Sequence, residues 1–163
     1  MKKFHYFWHL AKRTWSSYRA QPLSEGEQDE VGDILLPAEQ ELWARFQVED
    51  QRHSYIVMKR FQQLLPHATH PQLRAALLHD IGKINAPLST TLRVIATFVG
   101  PRTASFRAYH DHEQLGLQLL DERSDPVTIQ LLRDLYALCE GQGRVLEPAY
   151  ADVVSALMTA DNV

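Results

Sequence analysis

Apolar residues recur three or four positions apart along most of the chain, and strictly alternating stretches are absent, so the pattern predicts helices throughout. Residues 2–20 place Phe4, Trp8, Ala11, Trp15 and Tyr18 on one face. The segment "AEQELWARF" turns Leu42, Trp43 and Phe46 inward, and Asp50 caps a helix whose stripe runs His53, Val57, Phe61 and Leu64. Pro71 suits a first helical position, with Leu73, Ala76, Leu77 and Asp80 on the following face. Leu88, Leu92, Ile95 and Phe98 mark a helix stopped by the "GP" at 100–101, and Tyr109, His112, Leu115 and Leu119 share a face of the next. Ser124 or Asp125 starts a helix through Leu132, Leu135 and Cys139, the last read as a core residue. A final helix over 149–161 faces Val153, Val154, Leu157 and Asp161 inward. The expected fold class is all-α.

Charge divides the chain. Residues 2–20 carry five Lys or Arg and no acid, whereas "QPLSEGEQDEVGD" has five acids, no base, a proline and two glycines. The expected organisation is a basic amphipathic helix over 1–22, an acidic linker over 23–35 and a main domain over 36–163. Three surfaces suit the basic aromatic helix: its own domain, an anionic membrane, or a partner.

At 163 residues, 45% hydrophobic and 23% charged, the chain matches one ordinary globular domain. A net charge of −3 offers no basic field for stable nucleic-acid binding. The single Cys139 excludes an internal disulfide and fits a reducing compartment. No apolar run reaches the ~18 residues of a membrane span. "FHYFWHLAK", broken by histidines, is a poor secretory signal. The expected location is cytoplasmic.

Four helices share an oddity: each carries His or Asp on its apolar stripe, at His53, Asp80, His112 and Asp161. His79 lies about 100° around the helix from Asp80, so both side chains can lean toward one point. A buried carboxylate needs strong compensation, which a divalent cation supplies while holding imidazoles neutral. A plain core hydrogen bond within a His–Asp pair is the competing explanation. His5, His9, His67 and His70 read as ordinary helix or turn residues, and no Gly-rich phosphate loop, nucleophile elbow or CxxC pair is present.

"RHSYIV" (52–57), "LLHDIGK" (77–83), "HEQLG" (112–116) and "ALMTADN" (156–162) occur in the order His…His-Asp…Asp. In this they resemble the motifs of the HD-domain metal-dependent phosphohydrolase superfamily, over about residues 36–163. The resemblance implies an HD-like helical bundle, here with an extra N-terminal helix, and the ligand set His53, His79, Asp80 and Asp161. It implies one or two divalent ions among Mn, Fe, Co, Ni, Zn and Mg, and hydrolysis of a phosphomonoester or phosphodiester of a nucleotide or another small phosphorylated metabolite by a metal-activated water. Asp80 would orient that water. Lys83, four residues after His79 and so expected on the same helical face, would contact phosphate or steady the carboxylates; Arg52 is another phosphate contact. His112 resembles the extra histidine of two-metal members and would bind phosphate or donate a proton. The further histidine of those members is replaced here by Leu135 and Tyr136, leaving Asp134 or Glu140 as substitutes, or a single-metal site. The "GYP" tripeptide of the cyclic-dinucleotide branch is absent. The contrasting expectation is a catalytically silent scaffold that keeps the metal as structure. Oligomeric state is not indicated.

Overall fold

The structure, a computed structural model, describes residues 21–85, 112–139 and 148–162, the side chains of residues 112, 148 and 149 excepted. Every regular element among them is helical: α1 Glu25–Ile34, α2 Pro37–Trp43, α3 Val48–Leu64, α4 His70–Leu78, a 3-10 turn Ile81–Asn85, α5 His112–Leu120, α6 Pro126–Cys139 and α7 Pro148–Asp161. The expected helices over 2–20 and around Leu88–Phe98 lie outside the described residues. No described helix is long and apolar enough to cross a membrane.

The helix starts follow local chemistry. Ser24 and Glu27 form a reciprocal capping box at α1, and Gln72 reaches back to the Thr69 amide at α4. Asp125, the second of the two expected caps, accepts the Val127 and Thr128 amides at α6. At α3 the cap differs from expectation. Gln47 occupies the N-cap and Asp50 falls in the first turn, where its buried carboxylate meets the positive end of the helix dipole.

Residues 23–35 are not a linker. They hold α1, whose Val31 and Ile34, with flanking Leu23 and Leu35, are buried in the common core. The high acid content masks two inward helical positions, Val31 and Ile34, spaced three apart. Arg74 of α4 then fixes the end of α1 by donating to the Ile34 carbonyl at 2.7 Å.

Helix α3 packs against both α4 and α7, α4 packs also on α6, and α5 lies along the 3-10 turn. Met58, Phe61, Leu77, Leu78, Leu132 and Val154 are fully buried where these helices meet. Each contributes about 1.5–3 kcal/mol relative to exposure. Leu42, Trp43 and Phe46 are inward as the periodicity requires. Leu64 and Cys139, expected on apolar stripes, are exposed, because each closes its helix where the neighbouring helix no longer covers it. Gly116 permits the approach of α5 to the turn: a Cβ there would stand 3.2 Å from the Gly82 amide nitrogen and 3.3 Å from Ile81 Cγ2.

Candidate metal centre

Three separate segments bring their ionisable residues to one place. His53 stands on the buried side of α3, one turn before Val57. His79 caps the C-terminal end of α4 in right-handed helical conformation, so it extends the apolar face of Leu73, Ala76 and Leu77. Asp80 lies in the bend that follows, and the Lys83 amide donates to its carbonyl at 2.9 Å to close the 3-10 turn. Asp161 is the last residue of α7.

Their donor atoms converge. His53 Nε2 is 3.0 Å from Asp161 Oδ1 and 3.9 Å from Asp80 Oδ2. His79 Nε2 is 3.5 Å from each of Asp80 Oδ2 and Asp161 Oδ1. The two imidazole rings meet nearly edge to face at 5.5 Å. Donors sharing an ion at about 2.1 Å lie about 3.0–3.4 Å apart when adjacent, close to these spacings. His53, His79 and Asp80 each offer one donor atom, all within 4.8 Å of one another, and this group could hold a metal ion.

The decisive atom is His79 Nε2. His79 Nδ1 is 2.9 Å from the Ala76 carbonyl, which can only accept, so Nδ1 carries a proton. In the neutral ring Nε2 is then a lone pair. It is buried, makes no hydrogen bond among the described residues, and faces two carboxylate oxygens. A lone pair aimed at two anions is unfavourable unless a proton or a cation lies between them. The residues present therefore fit a divalent cation.

The electrostatics favour positive charge at that position, as a proton or as a cation. Burial alone would push the His79 pKa down, but Asp80 and Asp161 outweigh it and raise it. Burial holds His53 below its usual value despite the Asp161 hydrogen bond; against the Asp161 carboxylate its Nε2 is the donor, and that proton would be lost to a bound ion. Burial tends to raise Asp161, but the two neighbouring imidazoles prevail and hold it far below the carboxylate range.

Lys83 departs from its expected place. Helix α4 stops at Leu78, so Lys83 is not on the His79 face. Its buried ammonium bonds Asp80, three residues back, on the oxygen that also faces both imidazoles. Arg52 also differs from expectation. Its guanidinium donates to both Glu27 oxygens and to the Gln21 and Pro22 carbonyls, and with Ser24 it holds the Glu27 pKa down at about 2. Asp134 is buried and accepts from Gln130 at 3.0 Å, while Glu140 lies outside the described residues. His112 opens α5, but its side chain is outside the described atoms. His67 and His70 are exposed, His67 in the turn before α4 and His70 as its first residue.

No family model, no curated protein and no solved structure matches this chain.

One contact had no counterpart in the sequence pattern. Tyr136 of α6 donates its hydroxyl to the His79 carbonyl at 2.5 Å. On the stripe of Leu132 and Leu135 a tyrosine looks like core, and its position signals nothing about a carbonyl 57 residues upstream. Burial, reinforced by Asp80, keeps that hydroxyl protonated.

Proposed function

We propose that the chain is an HD-type metal-dependent phosphohydrolase. Its substrate would be a phosphomonoester or phosphodiester of a nucleotide or another small phosphorylated metabolite. The observation that carries the metal half of this reading is His79 Nε2, buried and unbonded between two carboxylates. His53, His79, Asp80 and Asp161 would hold the ion, with Mn, Fe, Co, Ni, Zn and Mg all compatible with mixed nitrogen and oxygen donors. When bound, such an ion lowers the pKa of water toward neutrality and neutralises charge on a phosphoryl oxygen.

The chain's own residues set the rest. The proton held on Nδ1 by the Ala76 carbonyl keeps the Nε2 lone pair of His79 directed into the site. Asp80 offers a carboxylate shared between the imidazoles and Lys83, and on this reading it would orient the water. Lys83 contributes a fixed positive charge beside that carboxylate, which favours binding of an anionic substrate. His112 begins the helix that lies along the Lys83 turn, and proton donation to the leaving oxygen is assigned to it on the motif resemblance.

A specific observation favours the second reading, a catalytically silent scaffold. Lys83 is bonded to Asp80 and Arg52 is bound by Glu27, so neither cation is turned toward a phosphate in this arrangement. Elemental analysis of the purified protein, with a panel of phosphomonoesters, phosphodiesters and nucleotides, separates the two. The hydrolase reading expects stoichiometric metal and metal-dependent release of phosphate or nucleotide. Bound metal without turnover of any substrate supports the scaffold, and absence of metal after loading overturns both.

A further inference from the structure

His79 occupies a demanding position. It is the C-cap of α4, and the backbone carbonyls of a helix's last turn have no amide partner within the helix. The next turn does not supply one for His79, because the Lys83 amide goes to the Asp80 carbonyl. The partner comes from a helix that contributes no ligand: the Tyr136 hydroxyl of α6, at 2.5 Å. Both ends of the residue are thus held, the ring through Nδ1 on the Ala76 carbonyl and the backbone through Tyr136. The Tyr136 side chain is itself buried, and the His79 carbonyl is the acceptor its hydroxyl reaches.

We infer that Tyr136 is a positioning residue for a divalent cation, acting through the His79 backbone to keep Nε2 3.5 Å from both carboxylate oxygens. The inference rests on the metal reading of the site. A hydrogen bond that fixes a ligand residue's orientation contributes to affinity, and loss of such a partner typically weakens metal binding about 10–100-fold. Tyr136→Phe removes one oxygen and keeps the ring, so it isolates this bond.

The internal control lies on the same helix pair. Thr128 of α6 is buried and sets its hydroxyl 3.0 Å from the Pro71 carbonyl at the opposite end of α4, away from His79. Thr128→Val removes that hydroxyl at nearly constant volume.

The test titrates Co(II) into the full chain, following affinity by calorimetry and ligand geometry by visible d–d absorption. Tyr136→Phe should bind Co(II) about tenfold more weakly with an altered d–d spectrum. Thr128→Val should lose thermal stability yet keep the affinity and spectrum of the unaltered protein. Incorporation of 3-fluorotyrosine at position 136, which keeps the donor, should restore tight binding. Unchanged affinity in Tyr136→Phe overturns the inference and leaves the metal reading standing, as does equal weakening in Thr128→Val. An unfolded Tyr136→Phe chain makes the hydroxyl a prop of the whole fold and also overturns it. Failure of the unaltered protein to bind Co(II) overturns the metal reading and this inference together.

Discussion

Helix α4 carries two buried polar clusters, one around its middle and one at its C-terminal end, and the two are built on opposite principles. Midway along it, Arg74 donates to the Ile34 carbonyl at 2.7 Å, pairs with Asp125 at 3.2 Å and stands 3.6 Å from Glu39. Glu39, fully buried, accepts from the Leu36 amide at 2.7 Å and from the Ser124 hydroxyl at 2.5 Å. Asp125 accepts from its own helix start and from Thr128. Each charged side chain there has hydrogen-bonding or ionic partners, and the cluster ties α1, α2, α4 and α6 together. Near its end, the His79 cluster leaves a buried nitrogen unbonded and aims two carboxylates at it. Both clusters mix buried acids with cationic or potentially cationic side chains, so burial of charge by itself does not mark a site. Ser54 Oγ is likewise buried and unbonded, so what distinguishes the His79 cluster is an unbonded nitrogen facing two carboxylate oxygens.

Substitution in each cluster should therefore fail differently. His79→Ala is expected to abolish metal retention and hydrolysis while helical content by circular dichroism stays close to that of the unaltered chain. Arg74→Ala is expected to cost about 3 kcal/mol in urea unfolding, since it strips a buried carboxylate of its countercharge, and to leave metal affinity of the folded protein unchanged. The contrast breaks if His79→Ala retains metal, or if Arg74→Ala weakens metal binding as strongly as it weakens the fold.

Smaller and of definite sign is the pH dependence contributed by Glu39. Burial raises its pKa above the usual 4.5, although Ser124, the Leu36 amide and Arg74 pull in the opposite direction. The folded state therefore holds the Glu39 proton more tightly than the unfolded state. Below pH 4.5 both states are protonated and Glu39 has no effect. As pH rises through that value toward the folded pKa, the unfolded chain ionises first and Glu39 subtracts from stability. Glu39→Gln should flatten this component of a series of denaturant melts across the carboxylate range. A series as steep as that of the unaltered protein removes Glu39 as its source.

The smallest expected effect sharpens the metal end alone. Gly116→Ala brings a methyl group against the Gly82 backbone, and after the gain in helix propensity it should cost about 1 kcal/mol. Because Gly82 sits between Asp80 and Lys83, the same variant should also shift metal affinity measurably by calorimetry. Lost stability with wholly unaltered affinity would show that the turn is rigid to pressure from α5.

Much of this was legible in the sequence. Ionisable residues on apolar stripes pointed to His53, Asp80 and Asp161, and the structure brings their side chains together with His79. Periodicity also gave the helical class and the inward faces of α3, α4 and α7. What escaped it has physical causes. Lys83 lies off the expected His79 face because a 3-10 turn, not a continued helix, follows, yet it bonds Asp80, one of the carboxylates that the sequence reading has it steady. Residues 23–35 looked like linker because charge density hid Val31 and Ile34. Glu39 and Tyr136 were invisible because a single residue's type does not say which distant backbone group it will meet.

The 3.0 Å contact between His53 and Asp161 spans 108 positions of chain. Local folding of either neighbourhood leaves these two walls of the centre apart, and they meet only once α7 has docked on α3. An ion bound by both walls would therefore report completed assembly, and its binding free energy would accrue to the finished state rather than to any intermediate on the way.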